Sequence, residues 1–201
     1  MLALLLPPLL ASAFARAAEP PMPAEADVAA AVAAAIDGRP VCETTVWLPL
    51  DEDGKASLAS DHFVRRRPGT DARIDALAKI GLVTSATIEE SDGPKRVIEL
   101  TARGREYIRR ESIAWRLCYA KRKLDRIEVY TPPVEREGYW IVRAVYTWRP
   151  SQIEPWSREL FALGALGSDG RAVDGERRDW IVLVSTNRGW KDQAWFGNPI
   201  K

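Results

Sequence analysis

Residues 138–148 read Gly-Tyr-Trp-Ile-Val-Arg-Ala-Val-Tyr-Thr-Trp. After Gly138 the stretch is β-branched and aromatic, which predicts a strand. Side chains alternate across a strand. Trp140, Val142, Ala144, Tyr146 and Trp148 therefore share one face. Tyr139, Ile141, Arg143, Val145 and Thr147 share the other. Both faces are largely apolar, so the strand is expected at the centre of its sheet, with Pro150 ending it. Leu124–Thr131 (LDRIEVYT) predicts a second strand, stopped by Pro132 and Pro133, and Asp179–Thr186 (DWIVLVST) a third. Glu154–Leu163 predicts a helix, and Gly167–Gly170 and Asn187–Gly189 predict turns. There is no long strand–helix–strand alternation, so the sheet is expected to be antiparallel.

The N-terminal part differs in texture. Residues 18–24 form a proline-rich linker, and Val28, Val32 and Ile36 recur every four residues in an alanine-rich helix closed by Gly38 and Pro40. Val41–Leu48 predicts a strand, and Ser57–Val64 a short helix. Asp51–Gly54 is a turn whose glycine is misplaced for a calcium loop. Pro68-Gly69 breaks the chain, and Thr70 or Asp71 is expected to cap a helix with Ile74, Leu77, Ala78 and Ile80 on its apolar face. Gly81 ends that helix. A hairpin is predicted next, with arms Ala86–Glu90 and Arg96–Leu100 around a Ser91-Asp92-Gly93-Pro94 turn. Thr101 then caps a helix reaching Ser112 or beyond.

Leu77-Ala78-Lys79-Ile80-Gly81-Leu82-Val83, the hairpin, and Leu100-Thr101-Ala102-Arg103-Gly104-Arg105 together resemble a winged-helix domain of the MarR type. The likeness covers about residues 71–110. It implies that the helix ending in Gly-Leu-Val corresponds to a DNA-recognition helix and the hairpin to the wing. Winged helices also serve as protein-binding and purely structural units. The block from Cys118-Tyr119 to Gly189-Trp190 resembles parts of uncharacterised bacterial exported proteins. The expected fold class is α+β: a helical, winged-helix-like region over 25–117 and an antiparallel β-rich region over 118–201, which could form one compact domain.

Met1–Ala17 (MLALLLPPLLASAFARA) carries an apolar run followed by small residues that fit a signal-peptidase site, although no basic residue precedes the run. The run is too short to cross a bilayer about 30 Å thick. Later segments never reach 18 uninterrupted apolar residues, so no transmembrane segment is expected. The alanine- and arginine-rich composition suggests a bacterium with GC-rich DNA. The expected destination is the periplasm or the outside of the cell. In an oxidising compartment Cys42 and Cys118, the only two cysteines, can pair.

The chain has 201 residues and a formal charge of +1, which becomes zero once the leader and its Arg16 are removed. That balance excludes a uniformly polyanion-coating protein. The charge is nonetheless segregated: residues 19–61 carry −7, residues 62–126 carry +7, and the remainder is neutral. Internal pairing between the first two segments is the simplest expectation.

Catalytic and cofactor signatures are sparse. One histidine, His62, would have to serve any Ser-His-Asp or Cys-His site, and two cysteines with one histidine cannot build a zinc cluster. There is no CxxC motif, nucleophile elbow, phosphate-binding loop or dinucleotide fingerprint. Glu89 and Glu90 are neighbours on a strand and point to opposite faces. No catalytic residue, metal site or cofactor is therefore assigned. Eight tryptophans are the most unusual feature. Trp140 and Trp148 are expected in the core, and Trp190 and Trp195 at the surface. Candidate partner-binding residues are Arg65, Arg66, Arg67, Lys95, Arg96, Trp190 and Trp195. Three functions follow as expectations: an exported, non-enzymatic protein that binds a partner protein or envelope component; a cytosolic winged-helix DNA-binding regulator; and an exported hydrolase with an unrecognised carboxylate site.

Overall fold

The computed structural model describes residues 21–45, 48–59, 69–166 and 172–196. The leader, Trp47, His62, the Arg65–Arg67 run and the 167–170 turn lie outside the described residues, as do the side chains of Ala59, Trp195 and Phe196. The fold is α+β, with two antiparallel sheets.

The larger sheet runs β1 (Pro40–Thr44), β6 (Ala114–Tyr130), β8 (Tyr139–Ser151), β9 (Arg177–Thr186) and β10 (Gly189–Asp192). Two short strands, β5 (Ile108–Glu111) and β7 (Val134–Arg136), flank β6 and β8. The strand read as central, β8, lies between β6 and β9 along most of its length. It does not stop at Pro150, which is buried and pairs with Arg122. β9 has already ended opposite Trp148, so the missing N–H of Pro150 leaves no gap in a ladder on that side.

α1 (Glu25–Ile36) buries Val28, Val32 and Ile36 at the expected spacing, with Glu25 and Asp27 in its first turn. Carboxylates there complement the positive end of the helix dipole. The helix lies against β6, β9 and β10. It covers the face that carries Ala144, Tyr146 and Trp148, together with Ile181 and Leu183.

The smaller sheet has the order β2 (Lys55–Ala59), β4 (Gly93–Leu100), β3 (Val83–Glu90). Beside it lie α2 (Thr70–Lys79) and α3 (Ala102–Tyr107). α2 ends in a Schellman motif: Leu82 N–H donates to the Leu77 carbonyl at 2.9 Å, and Gly81 N–H to that of Ala78 at 3.0 Å. Gly81 has φ 76°, the left-handed region that such a stop requires. One buried hydrophobic cluster runs from α1 through the smaller sheet to β9. A boundary at 117/118 would therefore cut β6 in two.

Several expected elements differ. Lys55–Ala59 is a strand rather than the start of a helix, because Ala56 and Leu58 are buried at period two against β4. β1 stops at Thr44, where Thr45 turns to the Trp115 carbonyl through both its N–H and its hydroxyl. Gly69, not Thr70 or Asp71, is the N-cap of α2, and Thr70 lies buried inside the helix. The hairpin turn is only Ser91-Asp92, since Gly93 and Pro94 pair with Glu90 and Glu89. α3 ends at Tyr107, because Ile108–Glu111 pairs with Ala114–Leu117 as a hairpin. α4 (Ser157–Ala162) is shorter than expected at both ends.

Cys42 and Cys118 form a disulfide across β1 and β6, where they face one another in the register. None of the described helices is long and apolar enough to cross a membrane.

Candidate functional site

The two described basic residues proposed from sequence, Lys95 and Arg96, are committed to the protein's own acids. Arg96 Nη1 lies 3.1 Å from Asp71 Oδ1 on α2, its Nη2 pairs with Asp75 Oδ1, and its Nε donates to Ser85 Oγ at 2.7 Å. Lys95 Nζ sits 2.6 Å from Glu90 and 3.0 Å from Asp92. These contacts hold the Asp92 carboxyl below its usual range through the Lys95 hydrogen bond, and hold the Lys95 ammonium above its usual range through Glu90. The α2 surface thus presents two carboxylates clamped by the hairpin's arginine. Trp190 is a strand residue paired with Ser185, half-buried and packed on the core rather than standing in a loose tail. Arg65, Arg66, Arg67 and the Trp195 side chain lie outside the described residues.

Phenol groups also line the interior. Burial pushes the pKa of Tyr107 and of Tyr146 above the ordinary 10.0, with Glu154 adding to the first and Asp179 to the second. A folded-state pKa raised above the unfolded one favours the protonated phenol. The resulting stability is complete below pH 10 and is lost as pH rises through the folded values. Tyr146→Phe is expected to match the native protein in urea midpoint at pH 8 and to exceed it above pH 10. Equal midpoints at both pH values would remove this assignment.

The surface that stands out is the second face of the larger sheet. Opposite the α1-covered side lie the cross-strand pairs Ile141–Val184, Arg143–Val182, Val145–Trp180 and Thr147–Arg178 of β8 and β9; Val184 and Thr147 are buried, Ile141, Val145 and Val182 partly so, and Arg143, Trp180 and Arg178 are exposed. Val129 extends the row from β6 through its pairing with Val145, and Val134 from β7 through Ile141. The 3-10 turn Gln193–Phe196 packs on β9 and reaches this face at Gln193, beside Val182. Trp180 and Val129 are each 57% exposed, Val134 50% and Tyr139 46%. Large apolar side chains exposed close together mark an interaction site more often than scattered single ones do.

The charges on this face fall into two groups. At one end Arg126, Arg149 and Arg178 interlock with Asp125, Glu128 and Glu176, at distances that include 2.6 Å for Arg178–Glu128 and 3.0 Å for Arg149–Glu176. Thr147, buried beneath, donates its hydroxyl to Asp125 at 3.4 Å. In the middle of the apolar row Arg143 stands differently. Its guanidinium carbon lies 4.8 Å from the Trp180 ring centroid, and among the described residues no carboxylate pairs with it. Shallow hollows flank it on both sides, one walled by Trp180, Val145 and Arg178, the other by Val134, Ile141 and Val182.

On the covered side, Arg122 and Arg177 lie 4.7 and 5.3 Å from the Trp148 ring. Both Nε atoms are buried without a hydrogen-bond partner. Arg177 also donates to the Tyr119 hydroxyl at 2.7 Å. These groups brace the edge of the core.

Sequence reasoning missed Trp180 and Arg143 as surface groups. Residues 179–184 alternate Trp180, Val182 and Val184 against Ile181 and Leu183, so both faces read as covered. The available signal was the shortage of covering elements: the C-terminal half supplies one predicted helix, which is too little for a second layer. No family model, curated protein or solved structure matches the chain.

Proposed function

We propose that this chain is an exported, non-enzymatic binding protein of an oxidising compartment, and that its partner docks on the open face of the larger sheet. The observation that carries the reading is the exposure of Trp180 and Val129 on either side of Val145, with Val134 and Tyr139 exposed nearby on the same face. A sheet with two apolar faces gains from burying both. An apolar centre beside a rim of paired charges is also the anatomy of a recognition patch, and tryptophan and arginine are the residues most often dominant in one. The Cys42–Cys118 bridge supports a compartment where thiols oxidise. The leader-like Met1–Ala17 supports export.

Two measurements test it. Full-length protein expressed in a bacterium is expected in the periplasmic fraction, shortened by the mass of residues 1–17. An intact cytosolic chain would sink export. Random-peptide display on the oxidised protein is expected to select binders that Trp180→Ala weakens at least about 30-fold, the scale of a tryptophan hot spot. Binders indifferent to Trp180 would remove this face from the proposal.

A MarR-type DNA-binding reading keeps one support: α2, the β3–β4 hairpin and α3 follow one another in the order the resemblance implies. Asp71 and Asp75 on α2 oppose it, since carboxylates repel a phosphate backbone.

A further inference from the structure

We infer that the partner presents a carboxylate flanked by apolar side chains, and that this carboxylate docks on Arg143. The inference rests on the open-face reading and specifies the chemistry of what binds there. The rim balances three guanidinium groups against three carboxylates. Arg143 has no carboxylate partner among the described residues, and it sits among Val145, Val182 and Trp180 rather than at the rim. Contact with the Trp180 ring, 4.8 Å from the guanidinium carbon to its centroid, restrains the guanidinium without neutralising its charge. A fixed, planar fork matches a carboxylate through two parallel hydrogen bonds. Each hollow has apolar walls, Val145 and Trp180 in one and Val134, Ile141 and Val182 in the other, that can take apolar neighbours of the docked acid; Asp179 and Arg178 close the first hollow, and Thr131, Arg136 and Gln193 the second.

Charge also argues against a second copy of this chain as the occupant. A twofold axis through the Arg143–Trp180 centre brings one Arg143 against the other, and burying two like charges without a counter-charge is costly. An acidic partner instead neutralises Arg143, which has no carboxylate partner among the described residues.

The test uses the oxidised protein and a displayed library of random dodecapeptides. Expected winners contain Asp or Glu flanked by Leu, Ile, Val or aromatic residues. Their synthetic versions are expected to weaken as salt rises. They should lose at least about 10-fold in affinity to Arg143→Gln and more to Arg143→Glu, both of which should melt with the native protein because Arg143 is an exposed side chain. Selection on Arg143→Glu should shift the winners toward Lys and Arg. Winners that depend on Trp180 but carry no acid, or that are indifferent to Arg143, would overturn this inference while leaving the binding face intact. Winners indifferent to Trp180 would overturn both. A dimer in light-scattering measurements that Trp180→Ala dissolves would assign the face to self-association and overturn the acidic partner.

Discussion

Reducing the Cys42–Cys118 bridge is expected to lower the stability of the protein by about 4–5 kcal/mol, which for a chain of this size is a fall in Tm of about 10–15 °C. The two cysteines are 76 residues apart. Their loop contains all of β2, α2, β3, β4 and α3, that is, the smaller sheet and the helices beside it. With the bridge closed, the unfolded chain cannot separate β1 from β6, so the loop-closure entropy is lost before folding begins rather than during it. β1 depends on this more than its neighbours. It is a five-residue edge strand paired only with β6, with a bulge between Val41 and Cys42. The check is urea unfolding of the oxidised protein against a Cys42→Ala/Cys118→Ala variant, which leaves no free thiol to complicate the comparison. Superimposable transitions would show that packing of Leu117, Tyr119 and Val41 alone fixes the β1–β6 pair.

How far the sequence revealed this fold depends on where local and tertiary signals agreed. β8 was legible because its alternation, composition and length all point the same way. α1 was legible for the same reason, with Val28, Val32 and Ile36 falling on one stripe. The first half of β6 was not. Ala114–Lys123 has no clean alternation, because Leu117, Cys118, Tyr119 and Ala120 are buried in succession between β1 on one side and β5 and β8 on the other. The helix expected to run from Thr101 to Ser112 is built of good helix formers, yet Ile108–Glu111 is captured by pairing with β6, an override of weak intrinsic propensity by tertiary contact.

The charge segregation was legible only as a total. Asp37–Lys123 and Glu52–Arg110 do join the acidic first segment to the basic middle. Arg96 and Lys95, however, find their acids within the middle segment itself, and Arg122 and Arg126 reach Asp179 and Glu176. Net charge by segment cannot distinguish these outcomes, because pairing depends on which side chains the strands bring opposite one another. The open face was hidden for a related reason. A strand with two apolar faces reads the same whether its second layer comes from its own chain or from a partner.

Gly104→Ala is expected to destabilise the protein by about 3–4 kcal/mol, even though alanine is the better helix former by about 1 kcal/mol. Gly104 lies in α3, and a Cβ added there would sit 1.8 Å from the Leu82 carbonyl oxygen and 2.9 Å from its carbon. Both are backbone atoms, so no rotamer change relieves the overlap. Leu82 cannot retreat. Its N–H is held by the Leu77 carbonyl in the Schellman stop of α2, and its side chain is fully buried. α3 cannot lift away without loss either. Thr101 caps it by accepting from Gly104 N–H at 2.9 Å while donating its hydroxyl to the Gly81 carbonyl at 2.7 Å. Tyr107 at the other end packs edge-on against Trp156, with ring centroids 5.4 Å apart. The Leu-Thr-x-x-Gly pattern therefore has a mechanical meaning here: the threonine latches the helix to the α2 stop, and the glycine lets the two backbones touch. Thr101→Ala removes the latch and leaves room, so it should cost only about 1–2 kcal/mol. Chemical denaturation of the two variants decides the matter by their order. If Gly104→Ala is the milder of the two, or stabilises as propensity alone predicts, the close approach of α3 to Leu82 is wrong.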